Sequence, residues 1–401
     1  MSAGLTGEIG GGRADPDVRS SPLERARAIG PAIRASADEI ERTRRIPEPL
    51  LTGLHASGLF RLLLPRAYGG GEVEPGQYLA AIIEVSRHDA SIGWNMFVAN
   101  SSALIAPHLP QATAAEIFGN PRTIIAWGPP NACRAMAVPG GYRVSGRWDF
   151  ASGCRQALWM GMHGHVEEAD GSLRLNAAGR PTVRTLLFPA GNANLIDTWN
   201  TIGLRGTASD SYTVEDLFVP EAYSGTREDP SGRNIAGPLY AFTMQGLYAV
   251  GVAGVGLGAA REMLSELVRL GATKTPRGLA RLADQPLVQS EVARAEARLG
   301  SAESYLRSVL AEIYARADHW GAIATEDRAL VRLACANAIQ GAIEVADTIY
   351  KAAGVDAIFP GSPFERRFRD IHTLSQQIQS RGAHFEAVGR ILLGTPDPFF
   401  M

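Results

Sequence analysis

The sequence predicts a three-part fold: an N-terminal α-helical domain, a central small antiparallel β domain and a C-terminal four-helix bundle. Three observations carry that reading. Apolar residues recur at helical spacing up to about Ala106, short β-branched or alternating runs fill the stretch from Pro121 to Val219, and helical periodicity returns after Gly237. The 401 residues exceed one small domain, and 45% hydrophobic with 20% charged residues is the composition of a soluble chain with a large core.

Residues 1–21 carry Gly4, Gly7, Gly10, Gly11 and Gly12 without an apolar core, and read as a flexible arm, not a signal peptide. In residues 22–120, Ile29, Ile33, Ile40, Leu50, Leu51 and Leu54 keep helical spacing. Pro65 and Gly69-Gly70-Gly71 break it, and helices resume at Tyr78–Arg87 and after Ser91. Residues 121–232 hold the strand-like runs Thr123–Trp127, Ala135–Val138, Tyr142–Phe150, Ala157–Val166, Arg184–Phe188 and Tyr212–Val219, separated by glycine turns. In residues 233–401, Val288, Val292, Ala295, Leu299, Ala302, Leu306, Val309 and Ile313 form the seam of a long helix. Another helix spans about Thr325 to Ala353 and stops at Gly354, a natural C′ residue, and a last one spans about Phe364 to Leu393.

Charge and cysteine usage exclude several partners. Lys+Arg number 39 against Asp+Glu 41, so no basic surplus exists to neutralise a nucleic acid. Cys133, Cys154 and Cys335 are far apart, which argues against a disulfide framework or zinc site and fits a reducing cytoplasm. Asn234–Ala260 is uncharged and long enough to span a bilayer, but its polar residues and six glycines suit a helix buried inside a bundle. Gly254–Ala259 has the letters of a dinucleotide fingerprint without its preceding strand, so close helix packing explains it better. His163 and His165 share a strand face without a third ligand nearby in sequence, so no metal site is expected.

Particular residues at the joints add a resemblance. Leu64-Pro65-Arg66-Ala67-Tyr68-Gly69-Gly70, Trp148–Cys154, Trp199–Thr207 and Leu217-Phe218-Val219-Pro220 fall in the right order over residues 23 to 395. This set resembles the acyl-CoA dehydrogenase superfamily, which implies an acyl-CoA dehydrogenase-like fold. Ser91-Ile92-Gly93-Trp94, Gly140–Trp148, Ser152-Gly153-Cys154 and Arg369-Asp370 look closer to its two-component, flavin-dependent monooxygenase branch. The resemblance implies a flavin, FMN or FAD, supplied reduced by a separate reductase, and a small-molecule substrate. The apolar Val288–Ile313 seam and the uncharged 234–260 stretch suggest a homotetramer built through the C-terminal helices.

In a regular strand Trp148, Phe150 and Ser152 share one face, where indole and phenyl suit a flat ring and the hydroxyl suits its edge. The resemblance places Ser152 near the flavin N5 and Trp94 among the flavin contacts. Arg205, Thr207 and Ser209 form a small-residue turn suited to a phosphate or ring carbonyl. Lys274 and Arg277, before the seam helix, lie where the family often supplies a basic residue to a neighbour's flavin phosphate; a solvated loop fits as well. Acyl-CoA dehydrogenation needs a carboxylate base, and the two family positions hold Ile378 and residues near Gly246. Where phenol hydroxylases of this type usually place histidines, the chain has Gln377 and the segment Asn100, Ser101, Ser102. Gln377 cannot act as a base near neutral pH, whereas His384, seven residues on, could. On a continuous last helix Gln377 and Arg381 point together into the substrate pocket and favour a polar or anionic substrate. The expectation is a monooxygenase that hydroxylates or N- or S-oxygenates its substrate. The alternatives are a dehydrogenase-like flavoprotein, or a helical scaffold that lost its flavin.

Overall fold

The computed structural model describes residues 20–129, 133–176, 179–226 and 232–395, so the expected N-terminal arm lies almost wholly outside the described residues. The N-terminal layer is α1 (Pro22–Thr43), α2 (Glu48–Ala56), α3 (Pro75–His88), α4 (Ala90–Ala103) and α5 (Gln111–Gly119). Ser21 and Glu24 close a capping box on α1, and the Asp89 carboxylate caps α4 by accepting from the Ile92 N–H at 3.0 Å. Every residue of α4 is buried. It runs through the interior as a central helix and carries no solvent face.

Eight strands form the middle sheet: β1 (Ile125–Trp127), β2 (Arg134–Val138), β3 (Gly141–Ala151), β4 (Trp159–Glu167), β5 (Val183–Pro189), β6 (Asn194–Ile196), β7 (Asp210–Pro220) and β8 (Ser224–Gly225). Their order is β6-β7-β3-β2-β4-β5-β8, with β1 beside β4. The sheet is mixed and not purely antiparallel, because β1–β4 and β2–β4 are parallel. The outer edge of β3 is occupied by β7, so the chain leaving β3 must reach the free edge of β2, where it runs parallel to β2. Strands β6 and β8 are too short to show periodicity in sequence.

A second departure concerns the flavin-facing strand. The β3–β7 register slips between Trp148 and Ala151, and Phe150 takes φ 61°. An extra residue at such a bulge breaks the alternation of faces. Trp148 is therefore fully buried and stacked on Tyr212 at 5.4 Å, while Phe150 is 62% exposed. The expected shared face of Trp148, Phe150 and Ser152 does not exist. Trp148 belongs to the sheet interior.

The C-terminal layer has three long helices, α6 (Met244–Thr273), α7 (Pro286–Arg316) and α8 (Thr325–Ala353). The expected fourth is broken into α9 (Pro363–Leu374), a 3-10 turn at Ile378–Ser380 and α10 (Ala383–Leu392). Polar side chains capture the backbone at the break: the Gln379 N–H donates to the Gln377 side-chain oxygen at 2.5 Å, Ser380 Oγ donates to the Leu374 carbonyl at 2.9 Å, and Gln340 donates to the Ser380 carbonyl at 2.6 Å. The uncharged segment is the buried core of α6. A Cβ on Gly251 would lie 2.5 Å from Phe97, and one on Gly254 2.8 Å from Ile82, so these glycines allow α6 to approach α3 and α4. By length and composition α6 and residues 325–357 could cross a membrane, but 89% of the apolar window of α6 is buried in the fold. The α7 seam is buried at Val288, Ala295, Leu299, Ala302, Leu306, Val309 and Ile313, and α8 ends at Gly354 with φ 62°. Buried Glu262 ties the layers together by accepting from Arg34, Arg87 and Arg269 at 3.1–3.2 Å.

Candidate active site

The site starts where β3 ends. Residues 151–154 make a tight turn, with Gly153 at φ 79° donating its N–H to the Thr207 carbonyl at 2.9 Å. Facing it is a second turn, 204–208, with Leu204 and Ala208 both left-handed. A Cβ on Gly206 would collide with Ile40, so glycine lets this turn sit on α1 and α4. The Asn95 amide on α4 donates to the Gly206 carbonyl at 3.0 Å and accepts from Gln156 at 2.9 Å, clamping both turns to the central helix.

Hydroxyls bridge the two turns. Trp94 Nε1 donates to Ser152 Oγ at 3.0 Å, Ser152 Oγ lies 2.7 Å from Ser209 Oγ, and Ser209 Oγ lies 2.7 Å from Thr207 Oγ1. Thr207 donates onward to the Leu204 carbonyl at 2.9 Å. Phe150 stands beside Ser152 with its ring edge-on to Trp199 at 6.2 Å. Trp199 is held by its backbone N–H to Asp210 at 2.9 Å, and Asp210 is in turn paired with Arg155 at 2.6 Å, both nearly buried. A flat heterocycle needs an open apolar face beside a polar group, and exposed Phe150 next to tethered Ser152 supplies that combination.

From Ser152 an aromatic row leads to the other end. Trp94 and Phe97 have centroids 4.8 Å apart, and Phe97 meets Tyr248 of α6 edge-on at 4.9 Å. The Tyr248 hydroxyl lies beside the Gln377 side chain, and burial raises its phenol pKa well above the usual range, so it stays protonated. The structure thus brings Ser152, Trp94 and Gln377 to one row of side chains. Sequence reasoning missed Phe97 and Tyr248, because nothing local marks a contact between α4 and α6.

Other expected site residues are engaged elsewhere. The Asn100 amide accepts from the Leu63 N–H at 3.0 Å and donates to the Leu59 and Met96 carbonyls, holding the chain before α3. Ser102 donates to the Ala99 carbonyl within α4 at 3.0 Å. Arg205 binds the Glu41 and Thr201 carbonyls at 3.1 and 2.8 Å, joining its turn to α1. Lys274 donates to the Ala353 carbonyl at 2.6 Å and pairs with Asp356, which fastens the end of α8. Arg277 is exposed in the loop before α7. Gln377 and Arg381 flank the 3-10 turn and do not share a helix face, and Arg381 is exposed. His384 Nε2 lies 2.8 Å from the Ile378 carbonyl, and Nδ1 lies 3.3 Å from Arg332 Nη1. Burial and then Arg332 lower its pKa, so the ring is neutral, with Nε2 donating and Nδ1 accepting. Neither nitrogen is free to take a substrate proton in this arrangement.

Behind the hydroxyl turn lie two buried carboxyls. Asp370 Oδ1 accepts from the Leu204 N–H at 2.6 Å; burial, and then Asp89, push its pKa up to about 7. Burial raises Asp89 to about 6. His163 is buried in the sheet against Thr185 at 2.8 Å and Trp127 at 4.7 Å. Among the described residues no cluster of three or more His, Cys, Asp or Glu side chains is placed to hold a metal ion.

Residues 26–116 match the family described as Acyl-CoA dehydrogenase, N-terminal domain, and residues 250–381 match Acyl-CoA dehydrogenase, C-terminal domain. The chain is 30% identical over 390 residues to an indole-3-acetate monooxygenase of Pseudomonas putida, covering 94% of this chain and 97% of that one. It is also 30% identical over 394 residues to the oxygenase component of an FADH(2)-dependent resorcinol hydroxylase of Rhizobium sp. (strain MTP-10005), covering 94% and 93%. Among solved structures, XiaF from Streptomyces sp., in complex with FADH2 and glycerol, matches with a TM-score of 0.86 at 25% identity, over 94% of this chain and 96% of that one. Domain matches on both sides of the sheet, and similarity that runs nearly end to end, make this chain a member of the acyl-CoA dehydrogenase family, in its flavin-dependent monooxygenase branch.

Proposed function

We propose that the chain is the oxygenase component of a two-component system, receiving reduced flavin from a separate reductase and oxygenating a small organic substrate. Bound reduced flavin supplies two electrons to O2, so that one oxygen atom enters the substrate and the other leaves as water. Phe150 would hold the flavin ring on its open face, and Ser152 would meet the ring's N5 edge. The substrate sits along the Trp94–Phe97–Tyr248 row, where Gln377 and the Tyr248 hydroxyl orient its polar group. A compact aromatic or heteroaromatic substrate suits a row of rings.

One observation carries this reading: solvent-open Phe150 adjoins a hydroxyl tethered at both sides, at one end of an aromatic row whose other end is an amide. The dehydrogenase alternative requires a carboxylate where the chain has Ile378 or the Gly246 segment. FMN and FAD are both compatible with Phe150 and Ser152, and the cytoplasm is the compartment we assign. The exposed apolar residues at the end of α10, Leu392 at 70% and Leu393 just past it at 81%, support a homotetramer formed through the C-terminal helices. The test is anaerobic binding of reduced FMN and FAD, followed by mixing with 18O2 and a panel of phenols and indoles. Incorporation of one labelled atom is expected. Bleaching of a bound flavin by a CoA thioester would favour the dehydrogenase, and no flavin binding would favour a scaffold.

A further inference from the structure

The Gln377 amide has a fixed orientation. The Gln379 backbone N–H lies 2.5 Å from one end of it, and a backbone N–H can only donate, so that end is the oxygen. Gln379 is buried, and turning the amide over would set two donors against each other where an unmade bond costs most. The amide nitrogen is therefore the end left for the Tyr248 hydroxyl. Burial raises the Tyr248 phenol pKa and Gln377 works against that rise, the sense expected of an N–H directed at a phenol oxygen. With one N–H turned there, the amide keeps a second N–H and Tyr248 keeps its own O–H. Both groups have a proton to offer to the space beside them.

The groups around this pair also hold their protons or carry positive charge. Tyr78 of α3 lies near Tyr248 and near Cys335 of α8; burial holds its phenol protonated and pushes the Cys335 thiol up to about 12. Phe97 of α4 contributes only a ring. Beyond α9, Arg332 donates to the Gln379 side-chain oxygen at 2.7 Å, and His384 is engaged by Arg332 and the Ile378 carbonyl. Among the described residues no carboxylate acts on Tyr248. A group bound here must accept, and an anionic oxygen accepts best.

We propose that Tyr248 and Gln377 hold the substrate's oxygen as an anion, so that an aromatic alcohol binds as its phenolate and two donors do the work of a base. The proposal rests on the substrate position given above and names the substrate class for it. Burial makes Tyr248 a weaker acid than an ordinary phenol, so the shared proton stays on Tyr248 and the charge stays on the substrate. The substrate's own proton passes to solvent, and the charge enriches the ring carbon beside the oxygen. There a C–H becomes C–OH with one atom of O2. The other atom leaves as water, with two electrons from reduced flavin and two protons.

The test binds two probes to the anaerobic complex with reduced flavin: para-nitrophenol, whose anion is yellow, and para-nitroanisole, which has nearly the same shape and cannot ionise. Wild type should prefer the anion to the neutral phenol at least about tenfold, the size of one hydrogen bond to a charged group, so the bound probe stays yellow about one pH unit below the free one. Tyr248→Phe and Gln377→Ala should each weaken anion binding about tenfold and leave flavin affinity unchanged. Gln377→Glu keeps an acceptor for the Gln379 N–H, and its charge should weaken the anion further than Gln377→Ala does. Circular dichroism checks the fold of each variant. Unshifted ionisation of the bound probe, para-nitroanisole bound as well as the anion, or neither probe bound would overturn the proposal; the substrate position survives wherever the variants still change probe affinity or KM. Wild-type affinity for both probes in folded Tyr248→Phe and Gln377→Ala would remove the substrate position, and the proposal with it.

Discussion

The two ends of the site are built differently. At the sheet end, Ser152, Ser209 and Thr207 are buried on two tight turns and pinned by backbone groups, by Asn95 and by the Arg155–Asp210 pair. At the helical end, Gln377 stands at a break between α9 and α10 where side chains capture the backbone and the Arg332 guanidinium donates to the Gln379 side-chain oxygen at 2.7 Å. The first end holds its three hydroxyls in fixed mutual contact. The second places half-buried Gln377 at a junction between helices, where its side chain has room to adapt to the substrate. A fixed cofactor edge beside an adaptable substrate edge suits a family in which one flavin chemistry serves many substrates.

The sharpest break of that comparison is Asp210→Ala. It leaves Arg155 nearly buried without its main partner and removes the acceptor of the Thr198 and Trp199 N–H groups. A loss of about 3–5 kcal/mol in denaturant unfolding is expected, whereas Gln377→Ala should cost about 1 kcal/mol or less. Similar losses in the two variants would remove the contrast in rigidity. Next in size, Ser152→Ala should fold, yet lower coupled product formation at least about tenfold, in line with loss of a positioned hydrogen bond. The lost oxygenation should reappear as hydrogen peroxide, read by an oxygen-electrode assay with catalase.

Smaller effects belong to the helical end. Gln377→Ala should raise KM several-fold and leave flavin affinity unchanged. The pH profile of turnover should lack a histidine limb near ~6.5, since burial and Arg332 hold His384 below that value. A wild-type limb that vanishes in His384→Ala would make His384 the base. The smallest effect is on Asp370. Its folded pKa, about 7, is raised above the ordinary carboxyl value of ~3.9. Between these pH values the folded chain keeps a proton that the unfolded chain has lost, so this contribution to stability is full below ~4 and gone above about 7. Asp370→Asn keeps an acceptor for the Leu204 N–H and should narrow the gap in Tm between pH 5 and pH 8 by about 2 °C.

The sheet end was legible in sequence because its residues are neighbours along the chain: Ser152 in Trp148–Cys154, and Thr207 with Ser209 in the turn after Trp199. The bulge was not. A one-residue slip between Trp148 and Ala151 leaves no mark in composition, yet it moves Trp148 into the core and Phe150 to the surface. The long helices α7 and α8 followed from periodicity and from Gly354. The break after Leu374 was hidden, since Ser375-Gln376-Gln377 contains neither glycine nor proline and the capture of its backbone comes partly from Gln340 on another helix. Tyr248 was hidden for the same reason, because its partners lie on α4 and beyond α9. Order along the chain exposed the local turns, and contacts between distant segments stayed invisible.

The most direct measurement is a crystal structure of the protein grown anaerobically with reduced FMN or FAD. The account predicts the flavin ring lying on Phe150, its N5 within hydrogen-bond distance of Ser152 Oγ, and the Ser152–Ser209–Thr207 row unchanged. A ring bound away from Phe150, or one whose N5 faces a group other than Ser152, would contradict it.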